Sequence, residues 1–79
     1  MDNGLPSYFR SCRKRYGLSQ KQLARLLGHK TTYTVSSIEN GHIQPSITVL
    51  ISYLIIFDIS VDQLVPQFHK NIENLLASR

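Results

Sequence analysis

The chain has 79 residues, 42% of them hydrophobic and 18% charged, which supports one compact core and argues against disorder. One domain over residues 1–79 is expected, with no room for a separate sensor or catalytic domain. The net charge of +4 is uneven: residues 1–41 hold seven Lys/Arg against Asp2 and Glu39, whereas residues 42–79 hold Lys70 and Arg79 against Asp58, Asp62 and Glu73. A basic first half points to a polyanion there, the plain alternative being a solvated surface.

Cys12 is the only cysteine, so neither an intramolecular disulfide nor a cysteine-built metal site is expected, in keeping with a reducing cytoplasm. No basic segment followed by an apolar run opens the chain, so no secretion signal is expected either. The longest apolar stretch, Ile47 to Ile59, is broken by Thr48, Ser52 and Asp58 and is too short to span a bilayer. The expected localisation is cytoplasmic, with no membrane partner.

In chain order, Ser7 is placed to cap a first helix running to about Tyr16, with Gly17 as its stop. Tyr8, Phe9, Cys12 and Tyr16 form its apolar stripe. Arg10, Arg13 and Lys14 lie away from the centre of that stripe, and Cys12, being within it, reads as a small buried hydrophobe rather than a reactive thiol.

The next stretch, Leu18 to Gly41, reads LSQKQLARLLGHKTTYTVSSIENG and predicts two short helices around a tight turn, a helix-turn-helix over 19–40. Ser19 with Gln22 three residues later makes a capping box. Leu23, Ala24, Leu26 and Leu27 follow at helical spacing, and Gly28 ends that helix. His29 to Thr32 make the turn, Val35 and Ile38 give the second helix its inward face, and Asn40-Gly41 stops it.

After a short link, His42 to Pro45, Ser46 opens a fourth helix from Ile47 to about Phe57 that is apolar nearly all round. One face of such a helix covers the core and the other still needs cover. Ser60 with Gln63 repeats the capping box, Asp62 suits the first turn of a fifth helix, and Pro66 is expected to end it. Phe68, Ile72, Leu75 and Leu76 then predict a short sixth helix over about 67–77.

Taken together, LSQKQLA, Gly28, Ile38-Glu39-Asn40-Gly41, Pro45 and the closing FDISVDQLV resemble the lambda/434 repressor and Cro class, the XRE-type helix-turn-helix family, over about residues 8–65. The resemblance implies an all-α, compact five-helix domain, here with the added sixth helix. It also implies a DNA-bound homodimer reading a near-palindromic operator with the third helix in the major groove. Counting back from Glu39, the family's base-reading positions fall on Thr32, Tyr33 and Ser37. Taking 100° per residue, Tyr33, Ser36, Ser37 and Asn40 lie opposite Val35 and Ile38, an uncharged face rich in hydroxyls. Hydroxyls contact any base edge but lack the bidentate specificity of Arg or Gln.

Backbone contacts are expected from Ser19, Gln20 and Lys21 at the opening of the second helix, where amides favour a phosphate. Lys30, Asn40 and His42, with Gln44, flank the same groove and would orient the protein without reading sequence. Arg13 and Glu39 match a family ion pair between the first helix and the end of the third, and its expected role is structural. One departure stands out: Gly28 to Val35 is seven residues where the family has six. Either the turn bulges or the third helix starts a residue early.

Catalysis is not expected. There is no phosphate-binding glycine loop, no nucleophile–base pair and no acidic dyad, and His29, His42 and His69 are too scattered for a zinc motif. No cofactor, metal or small-molecule ligand is implied. The rival to a transcriptional regulator, most simply a repressor, is a protein-binding module: an antitoxin that caps a toxin, or an adaptor on a helix-turn-helix scaffold. The surplus apolar surface at Ile51, Ile55, Ile56, Phe68, Ile72 and Leu76 separately motivates a homodimer.

Overall fold

A computed structural model describes residues 4–77. The described residues form five helices and no strand: α1 (Leu5–Arg15), α2 (Gln20–Leu26), α3 (Tyr33–Glu39), α4 (Ile47–Ile56) and α5 (Val61–Ala77).

The helix boundaries follow from local chemistry. Ser19 accepts from the Gln22 amide and Gln22 Oε1 accepts from the Ser19 amide, a closed capping box at the start of α2. Ser60 and Gln63 make the same exchange before α5, and the Ser46 hydroxyl accepts from the Val49 amide at α4. The first four helices share one stop. A residue at positive φ follows the cap (Gly17, Gly28, Gly41 and Asp58), and the next amide reaches back five residues, as Leu18 N–H does to the Arg13 carbonyl at 3.1 Å.

Two boundaries differ from the sequence expectation. Ser7 does not cap α1; the helix opens at Leu5 with Pro6 in its first turn, because proline's fixed φ and missing N–H suit that position. The earlier start adds Leu5, 2% exposed, to the core. The second correction concerns Pro66, which does not end α5. The expected sixth helix exists as helical residues but is continuous with the fifth. Leu64 on one side of the proline is buried in the core, and on the other side the backbone at Gln67 and Asn71 lies against Gly4. Packing on both sides holds the helix across a residue that cannot donate to the Asp62 carbonyl.

The core is built on aromatic contacts between α1 and α4. Phe9 and Tyr53 meet edge to face at 4.6 Å, and Tyr53 packs on Phe57 at 5.6 Å. Cys12, Leu23, Ala24, Val35, Ile38 and Val49 close around them. The Tyr16 hydroxyl donates to the Phe57 carbonyl at 2.9 Å, tying the end of α1 to the end of α4. The outer faces of α4 and α5 stay apolar and uncovered, with Ile47, Ile55 and Val61 at 70%, 75% and 63% exposure.

Candidate nucleic-acid interface

Six residues, 27–32, separate α2 from α3. The helix α3 begins at Tyr33, two residues before the inward Val35. Gly28 at φ 81 lets the His29 amide reach the Ala24 carbonyl, and the Thr31 hydroxyl accepts from the Tyr33 amide at 3.3 Å. Thr32 takes the N-cap position without a side-chain cap. Val35 and Ile38 face the core at 0% and 1% exposure.

On the other face, Tyr33 is the most exposed side chain of α3 at 70%. Thr32 and Ser36 are half-buried and Asn40 is exposed. Ser37, expected among the base readers, is only 6% exposed. Its side chain is short, and the chain after α3 turns straight back, the His42 and Ile43 amides both donating to the Ser37 carbonyl.

The orientation of α3 is fixed at its end by Glu39, whose side chain is fully buried. Arg13 grips it in a two-pronged pair, Nε to Oε2 at 2.7 Å and Nη2 to Oε1 at 3.0 Å, while its Nη1 donates to the Leu18 carbonyl. Hydrogen bonding to Glu39 pushes the Arg13 pKa up against the opposing cost of burial, so the guanidinium stays charged. Gln20 Nε2 donates to Glu39 Oε1 at 3.2 Å. Arg10 adds a second cation, 3.6 Å from the same carboxylate, and its Nη2 donates to the Glu39 carbonyl at 3.0 Å and to Asn40 Oδ1 at 3.3 Å. Sequence reasoning placed Arg10 only off the apolar stripe. Its spacing of three from Arg13 was the available signal, since that spacing shares a helix face.

Below this cluster sits the Tyr53 hydroxyl, buried and without a hydrogen-bond partner among the described residues. Burial pushes its pKa up, the Glu39 carboxylate adds to the rise and Arg13 opposes it, so the phenol remains neutral.

The Gln20–Glu39 contact sets the opening of α2 beside the end of α3. Ser19, Gln20 and Lys21 thus approach Asn40 and His42 at one end, with Lys30 at the other end of α3. Ser19, Lys21, Lys30 and His42 are exposed, and Gln20 is half-buried. Among the described residues no group of His, Cys, Asp and Glu is arranged to hold a metal ion, and no helix is long and apolar enough to cross a membrane.

A family model described as Helix-turn-helix matches residues 9–64, most of the chain. No curated protein and no solved structure gives a significant match. The chain belongs to the XRE-type, Cro/C1-like helix-turn-helix family, and its fold is that of a DNA-binding regulator.

Proposed function

We propose that the protein is a sequence-specific repressor of transcription that reads a duplex operator with α3 in the major groove. The observation that carries the reading is the Glu39 cluster. It locks the end of α3 to α1 and α2 and leaves Tyr33, with Thr32 and Ser36 beside it, facing outward. We assign base contacts to Thr32, Tyr33 and Ser36, leaving out Ser37. The Tyr33 ring and the Thr32 methyl suit a thymine methyl, and the hydroxyls suit base edges.

We assign phosphate contacts to Ser19, Gln20, Lys21, Lys30, Asn40 and His42, which lie at the two ends of α3. They set register and supply affinity that salt weakens. Uncovered apolar residues on α4 and α5 support a homodimer, which would match a two-fold operator.

The test is selection from random duplex DNA, followed by salt titration of the winners and of scrambled controls. A roughly palindromic site bound far more tightly than the controls is expected. Lys21→Ala and Lys30→Ala should each weaken binding to every sequence and reduce the log–log salt slope by about 1. Weak binding to all sequences alike, lost together as salt rises, would overturn the operator reading. The adaptor or antitoxin reading would then stand, with the apolar α4 face (Ile47, Ile51, Ile55) as the surface offered to a protein partner.

A further inference from the structure

We propose that Arg10 acts as a positioning residue for base preference, fixing through Asn40 the direction in which the Ser36 hydroxyl donates. The geometry is a three-residue relay. Arg10 Nη2 lies 3.3 Å from one polar atom of the Asn40 amide, and the other lies 3.4 Å from Ser36 Oγ. A guanidinium has donors and no acceptor, so the atom facing Arg10 must be the Asn40 oxygen. The amide nitrogen therefore faces Ser36 and donates to its hydroxyl.

A hydroxyl has one proton and two lone pairs. With a lone pair taken from the Asn40 side, the Ser36 proton is kept from pointing at Asn40, and in the proposed relay it points toward the groove. An outward proton suits an acceptor edge: purine N7, guanine O6 or thymine O4. Asn40 keeps its second N–H for a phosphate, so the relay and the backbone contact coexist. Arg10 is itself anchored by the Glu39 carbonyl at 3.0 Å, which holds the start of the relay to the frame of the domain. The inference rests on α3 being the groove-facing helix, and it adds a residue on α1 to those that set sequence preference.

Two variants and two readouts test it. Arg10→Met keeps the apolar stem and removes the donors. Asn40→Asp keeps an acceptor for Arg10 but has no N–H, so the Ser36 proton turns inward to the carboxylate and lone pairs face the groove. The first readout is NMR of the Asn40 side-chain amide in the free protein, which requires no DNA. Arg10→Met should shift that amide and speed its exchange; an unchanged amide overturns the relay.

The second readout is the relative affinity for every base at each operator position. Arg10→Met should flatten the preference at the pair met by Ser36 by about twofold to tenfold, the range of one net hydrogen bond. Asn40→Asp should move that preference toward an edge bearing an amino group. A uniform loss across all sequences, with the ranking intact, would make Arg10 merely structural and overturn the proposal. A wild-type protein without base preference would overturn the operator reading and the specificity role together, while the amide readout would still judge the relay by itself.

Discussion

Glu39 is the residue on which three helices converge, and its surroundings decide what its loss would do. Its side chain is fully buried and receives donors from Arg13, on α1, and Gln20, on α2. Arg13 is itself only 11% exposed. The attraction between such charges is largely offset by the cost of dehydrating them, so the pair is a weak source of stability as a unit. Removing one member is a different matter, since it strands the other in a poorly solvated site. Glu39→Ala is expected to destabilise the fold by about 3–5 kcal/mol, an amount comparable to the loss of a buried partner elsewhere. Chemical denaturation followed by far-ultraviolet circular dichroism would measure it. The double variant Glu39→Ala with Arg13→Met should cost less than the two single changes summed, because neither member of the pair is left stranded.

At the scale of elements, Asp58 and Pro66 are the two places where local propensity and the fold disagree. Asp58 closes α4 at φ 51, in the role that glycine takes after α1, α2 and α3. A side chain in that conformation is disfavoured, less so for Asp than for most residues. Asp58→Gly should stabilise by roughly 0.5–1 kcal/mol, raising Tm by about 2–8 °C in a domain of this size. Pro66 sits inside α5, where it removes a donor and crowds the Asp62 carbonyl. Pro66→Ala should raise Tm, the gain reaching up to about 3 kcal/mol, with slower amide exchange around the substituted position and in the turn before it as the local check. These two sites also show where sequence reading succeeds and fails. Caps such as Ser19–Gln22 and Ser60–Gln63 were legible because donor and acceptor lie three residues apart on one segment. The inward positions Val35 and Ile38 were legible from spacing alone. The continuity of α5 was not, because Gln67 and Asn71 meet Gly4, more than sixty residues earlier in the chain. The burial of Ser37 depends likewise on the return of the chain at His42 and Ile43, which α3 itself does not announce.

At the scale of the whole molecule, the question is what covers the apolar surface that folding leaves open. Val61, Val65, Phe68, Ile72 and Leu76 recur along α5 at spacings of four, three, four and four, and each is 38–63% exposed. Such a stripe is what a partner helix packs against, and a small isolated domain gains little from leaving it in water. A second copy of the chain carries the same stripe, so on the proposed dimer reading α5 pairs with α5 about a two-fold axis, as a two-fold operator requires. The expected result in sedimentation at micromolar concentration is a dimer, with a Tm that rises with protein concentration because association stabilises the folded state. Ile72→Glu and Leu76→Glu change residues already half-exposed, so the fold should persist while the dimer dissociates. Ile55→Glu, on the outer face of α4, should leave the α5-paired dimer intact. Wild-type protein that remains monomeric at high micromolar concentration, with and without DNA, would remove the dimer; an Ile55→Glu variant that alone dissociates would move the seam to α4. The monomeric variants bear on function, since they retain α3 with Lys21 and Lys30 near it but bind one half-site at a time. Their affinity for a full palindrome should fall steeply, while their affinity for an isolated half-site stays that of the wild type.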